Sequence, residues 1–259
     1  MSIAAVARPP LQRVPSPILL AIGAAWAAAV AAEASGVAGS LHHDRLLQGG
    51  LAFGPALLLF LAAWQVMTAA MMLPSSLPLV RMFSVASARA PRRGWAMTAF
   101  LGSYALIWSG FGLLAFVGDA GLHAAVNASP WLTAHEWAIA PSVLLLAGAF
   151  QFSSLKDACL RACRHPALFL QRHYRRGVGG AFALGGRHGL FCVGCCWALM
   201  LVMFAAGAAN LIMMAALTAL TVHEKTRPAG ARTVPLTGVV LLSLGSTLLL
   251  WAAYANGAI

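Results

Sequence analysis

Apolar residues in this chain come in long runs separated by short polar segments. The runs cover 17–34, 50–73, 95–117, 137–155, 189–206, 208–223 and 234–254. Several approach the roughly 20 residues that carry a helix across a bilayer core. No series of ten-residue alternating segments suggests a transmembrane β-barrel. The pattern predicts an all-α fold: a polytopic transmembrane helix bundle of about seven spans, forming a single domain over 16–255. A polar, proline-rich stretch, 1–15, precedes it. The first run has a signal-like end at 29–34, but its length favours an uncleaved helix. Pro74 and Pro78 read as the stop of the second span. The fourth span is expected to run on as an amphipathic helix through FSSLKDACLRACRHP. The basic, glycine-containing stretch 167–188 reads as a flexible surface loop.

Composition agrees with the pattern. The chain is 61% hydrophobic and 9% charged, against about a quarter charged in soluble domains. A net charge of +11 would suggest nucleic acid in a soluble protein, but the placement of the charges gives a different reason. Of the 17 Lys and Arg residues, all except Arg45 fall in 1–15, 75–94, 155–188 and 224–233. These are alternate connections, so the positive-inside rule puts them in the cytoplasm, with the N-terminus inside and the C-terminus outside. The charge is a topology signal, with some attraction for anionic lipid. The expected partner is the bilayer, not nucleic acid.

The candidate chemistry is sulfur. In FCVGCCWALM, residues 191–200, Cys192, Cys195 and Cys196 stand at i, i+3 and i+4, one face of a helix. Met200 and Met203 continue that face. Cys159 and Cys163 share a face at i and i+4, as do Trp64, Met67 and Met71, with Met72 beside them. On the seven-span topology Cys192, Cys195 and Cys196 lie in the first two turns of the fifth span. All five cysteines then fall at one depth near the cytoplasmic side, with Met71, Met72, His223 and Glu224 at the same level and Met67 a turn deeper. Thiolates and thioethers select Cu(I). Zn(II) is the alternative, and would want four ligands in a tetrahedron. Arg161, Arg164 and Arg187 favour thiolates, and a reducing compartment favours free thiols over disulfides. The bland alternative is packing, since cysteine is a small hydrophobe and methionine fills core gaps. A shared site requires Cys159 or Cys163 to face Cys195 or Cys196, with Met71 or Met72 lining the same space.

A second cluster is expected outside: His42, His43, Asp44, Asp119, His123, His135 and Glu136. Such ligands suit zinc or Cu(II), although a Glu at a helix start also serves the helix dipole.

The stretches WQVMTAAMMLP, SSLKDACLRACRHP and GLFCVGCCWALM, followed by HEK after a Met-rich span, resemble a family of uncharacterised bacterial integral membrane proteins described as predicted metal-binding. The resemblance covers about 51–225. It maps that family's recurrent positions onto Trp64, Met67, Met71, Met72, Pro74, Lys156, Cys159, Cys163, Cys192, Cys195, Cys196, Trp197, Met200, Glu224 and Lys225. It implies a multi-pass protein of the bacterial inner membrane. A looser similarity links the paired-cysteine helix to mercury-transport proteins. The chain has no nucleotide-binding loop and no oxygenase, kinase or protease motif, so a non-enzymatic role is expected. That role is soft-metal handling, Cu(I) first, by transport or by delivery to a membrane partner or metallochaperone. The site residues are Cys192, Cys195, Cys196, Cys159, Cys163, Met67, Met71, Met72, Met200 and Glu224. The alternatives are a thiol–disulfide protein using Cys192 and Cys195, and a non-catalytic subunit of a membrane complex.

Overall fold

The computed structural model describes residues 15–40, 52–206 and 210–257, and every regular element among them is helical. The order is α1 Ser16–Ala34, α2 Val37–Ser40, α3 Phe53–Ala86, α4 Arg93–Ala128 and α5 Pro130–Ala134, then a 3₁₀ turn at Glu136–Ala138. There follow α6 Ile139–Phe150, α7 Ser154–Arg164, α8 Pro166–His173, α9 Val178–Ala206, α10 Leu211–Thr226 and α11 Gly230–Ala255. Residues 1–14, 207–209 and 41–51, the last with His42, His43 and Asp44, lie outside the described residues.

Five helices are long and apolar enough to cross a membrane: α1, α3, α4, α9 and α11. The bent pair formed by Glu136–Phe150 and α7 raises the number to six if it is one span. The expected seven are therefore not all present among the described residues. α10 has 16 residues, a rise of about 24 Å, which is short for a core of roughly 30 Å. The outward faces are apolar, with Leu20, Leu58, Leu114, Ile212 and Trp251 all exposed. That is the surface expected against lipid tails.

Helix lengths depart from the sequence reading in three places, each for a physical reason. α3 does not stop at Pro74 but runs through Pro74 and Pro78 to Ala86. Pro74 cannot donate to the Ala70 carbonyl. Trp26 of α1 does so instead, its Nε1 lying 3.0 Å from that oxygen. Ser75 and Ser76 turn their hydroxyls back onto the Met72 carbonyl, at 2.8 and 3.2 Å. Buried partners of this kind let prolines sit inside membrane helices.

The fourth run does not continue smoothly. It bends by 65° between Glu136–Phe150 and α7. The amides of Gln151, Phe152 and Ser153 bond back three residues, tightening the last turn, and the Ser153 hydroxyl caps α7 by accepting from the Lys156 amide at 3.1 Å. The stretch read as a loop, 167–188, holds α8 and the first third of α9. Its glycines serve close packing. A side chain at Gly185 would strike the Phe100 carbonyl of α4, and one at Gly189 would press on Ile107. This small-xxx-small face lets α9 lie against α4, its most extensive partner.

α9 is the centre of the bundle. It packs on α4, α6, α7 and α10, and 56% of its apolar window is buried, against 11% for α1 and 17% for α11. The main core combines Trp64, Trp108 and Phe116 with the cysteines and methionines of α3, α7, α9 and α10. Within it the Trp64 indole donates to the Trp108 carbonyl at 2.8 Å.

Candidate metal centre

Because α9 starts at Val178, the three-cysteine turn lies near its middle, not in its first two turns. Cys192 is fourteen residues, about 21 Å of rise, from the helix start. The ground for a helix-terminal Cys-x-x-Cys redox pair is thereby removed. Cys192, Cys195 and Cys196 are all fully buried, and all five cysteines of the chain are free thiols.

Four other helices bring their chemistry to this turn. α7 contributes Cys159 and Cys163. Cys163 interacts side chain to side chain with Cys195, while Cys159 lies over Gly194, where an added methyl group would meet its sulfur. α3 contributes Met72, whose Sδ is 3.6 Å from Cys196 Sγ. Cys196 also interacts with Cys195 and Cys192. The sulfurs thus form a row: Cys163, Cys195, Cys196 and Met72, with Cys192 beside Cys196. Cys163 is the half-buried end of that row and the others are buried. As thiols, Cys195 and Cys196 both donate to the Cys192 carbonyl, at 3.1 and 2.8 Å.

α10 contributes charge. Lys225 Nζ is 3.1 Å from Cys192 Sγ, 3.9 Å from Cys196 Sγ and 3.2 Å from Ser75 Oγ. Glu224 Oε2 accepts from Lys156 Nζ of α7 at 2.8 Å. Its other oxygen, Oε1, is buried without a hydrogen-bond partner. Lys156, Glu224 and Lys225 are each 5% exposed or less. α4 contributes Tyr104, whose hydroxyl is 3.2 Å from Cys192 Sγ. The polar chain continues from Tyr104 to Ser76 at 3.3 Å and on to His188 Nε2 at 3.0 Å. His188 lies one turn before Cys192 and stacks on Tyr104, ring centroids 5.5 Å apart.

Met67, Met71 and Met200 are buried in the same core cluster as the sulfur row. The sequence reading passed over Tyr104, Ser75, Ser76 and His188, and took Lys156 and Lys225 only as recurrent positions. The available signal was three ionisable residues in or beside apolar runs of a chain with few charges, since such residues mark function by default.

Among the described residues no three His, Cys, Asp or Glu side chains are gathered as a ready-made ion site. Of the outer cluster, Asp119, His123, His135 and Glu136 are among the described residues. Asp119 pairs with His123 one turn away at 3.7 Å. His135 stacks on Trp131 and meets its carbonyl at 2.7 Å.

The donors that do come together are soft sulfurs. Two sulfurs 3.6 Å apart, each at a metal–sulfur distance of about 2.3 Å, subtend roughly 100° at an ion between them. That is close to a tetrahedral angle, so the spacing of this pair does not by itself favour a low-coordinate ion over a four-coordinate one. The orphaned Glu224 oxygen and the Lys225 ammonium facing two thiols also mark a polar site inside an apolar core, not simple packing.

No curated protein and no solved structure matches the chain. A family model described as copper chaperone matches residues 61–248, which include every sulfur of the row and every charged residue around it. By that match, the chain belongs to the PpoB2 copper chaperone family.

Proposed function

We propose that this protein is a membrane-embedded Cu(I) carrier of the bacterial inner membrane. It takes the ion on the buried sulfurs of α9 and hands it to a membrane partner. The binding position is Cys192, Cys196 and Met72. Cys195 and Cys163 form the second, outer position, with Cys163 as its accessible end. Met67, Met71 and Met200 keep the surroundings soft and apolar, and Glu224 holds Lys156 beside the outer position.

The observation that carries this reading is the approach of Lys225 to two thiols. Cu(I) held by two thiolates leaves one negative charge. The Lys156–Glu224 pair is neutral, so the single positive charge of Lys225 closes the balance. A buried charge is tolerated only when paired, and Lys225 supplies that pairing for a loaded site. Loading this position releases the thiol protons of Cys192 and Cys196 to solvent, two per ion, and removes the S–H donor that Cys196 aims at the Cys192 carbonyl. Transfer along the row proceeds by one sulfur joining as another leaves, so the ion is never without ligands. The chain needs no nucleotide for this, because direction is set by the relative affinities of donor and acceptor.

The test is Cu(I) competition with a chromogenic chelator, using the full chain in detergent or nanodiscs. The expected result is one Cu(I) per chain, retained more weakly by Cys192→Ser/Cys196→Ser, and passage of bound Cu(I) to a soluble acceptor that slows in Cys163→Ser. Equal Cu(I) retention by the double variant would exclude the proposed position.

A further inference from the structure

Away from the sulfur row, a cavity of about 990 Å³ opens between the end of α3 and the start of α9. Its walls are the linker joining α3 to α4 and the turn before α9. Arg89, Arg92 and Arg176 line it. Among the described residues no side-chain hydrogen bond or ion pair is found for any of the three guanidiniums, although Arg161 has Asp157 and Arg164 has two backbone carbonyls. Neither wall, 85–96 or 174–178, contains an Asp or Glu. The rest of the lining is chiefly alanine, valine and proline, with Val85 and Val178 at the rim. Tyr174 ties the two walls together by donating its hydroxyl to the Ala86 carbonyl at 3.1 Å. Gly177, at φ 90°, makes the turn that leads into α9.

Three guanidiniums around one space, without a carboxylate, define an anion site. Arginine matches phosphate through its forked donors. Both α4 and α9 begin at this cavity, and their first-turn N–H groups add positive potential. The apolar walls ask for more than an inorganic anion. The cavity sits where membrane-length helices end, and Trp95, two residues into α4, is 69% exposed, as expected of indole at a membrane interface. We propose that this cavity binds the phosphate of an anionic phospholipid headgroup, with the glycerol and upper acyl chain against its alanine and valine wall. The site is separate from the sulfur row and does not depend on the metal reading.

The experiment is native mass spectrometry of the full chain released from nanodiscs of phosphatidylglycerol or of phosphatidylcholine. It compares the natural chain, Arg89→Gln/Arg92→Gln/Arg176→Gln, and Arg161→Gln as a basic control outside the cavity. The natural chain and the control should retain phosphatidylglycerol in preference to phosphatidylcholine. Each cavity arginine lost should weaken retention about fivefold, and the triple change about a hundredfold. A second arm offers inorganic phosphate alone at millimolar concentration. Binding of phosphate to the natural chain, lost in the triple variant, without lipid retention would keep the phosphate site and assign it to a soluble source. If the triple variant does not fold, the singles Arg89→Gln and Arg176→Gln carry the comparison. Equal retention of phosphatidylglycerol and equal phosphate binding by the natural chain and the arginine variants would overturn the proposal.

Discussion

Lys225 Nζ lies 3.1 Å from Cys192 Sγ, and both residues are buried in the centre of the bundle. The contact joins α10 to α9 and puts an ammonium group where apolar packing alone would want none. Lys225→Met should therefore weaken Cu(I) binding about 10- to 100-fold, the usual range for groups that support ligands without being ligands. Lys225→Arg should retain part of it. Chelator competition on the purified variants reads the difference, and an unchanged affinity for Lys225→Met would remove the charge-balance argument.

Met72→Leu separates ligand from filler. The swap nearly conserves volume, so stability should fall by less than about 1.5 kcal/mol. Cu(I) bound to the variant should nonetheless show one sulfur fewer by X-ray absorption. Cys196→Ser should lose most of the affinity, because Cys196 touches both Cys192 and Met72.

Lys156 and Glu224 form a buried ion pair at 2.8 Å. Removing one partner strands the other charge, so Lys156→Met should destabilise the fold by about 3–5 kcal/mol. Lys156→Met/Glu224→Leu should recover much of that loss. Unfolding in mixed micelles checks both, and a double variant no more stable than the single would show that the pair does more than satisfy itself.

The Trp26 indole and the Ala70 carbonyl offer a double-mutant cycle. Trp26→Phe should cost about 1–3 kcal/mol by leaving that carbonyl unsatisfied. Pro74→Ala restores the natural donor in α3, so in its background the Trp26→Phe cost should shrink. Strictly additive effects would show that the indole does not compensate for the proline.

The parts of the fold legible in the sequence were those set by local pattern. Apolar runs gave the membrane helices, and 3.6-residue spacing put Cys192, Cys195 and Cys196 on one face. What escaped was non-local. Pro74 reads as a stop unless Trp26, 48 residues earlier in the chain, is known to reach Ala70. Gly185 reads as a loop residue unless α4 is known to press on it. The approach of Cys163 to Cys195, and of Met72 to Cys196, can be stated from the sequence only as a geometric condition. Lys225 reads only as a recurrent position, and Tyr104 and His188 are missed. Nothing local points Lys225 or Tyr104 at Cys192, whereas His188, four residues before Cys192 on α9, stands at helical spacing from it. α10 and α4 bring the first two there, and His188 joins through Ser76 of α3.

The most direct measurement is X-ray absorption of the full chain loaded with one Cu(I). The account predicts an ion bound by about two to three sulfurs and no nitrogen or oxygen, with a changed sulfur shell and weaker retention in Cys192→Ser/Cys196→Ser, where only the outer position remains. A spectrum dominated by nitrogen or oxygen ligands, or one unchanged by that double substitution, would contradict it.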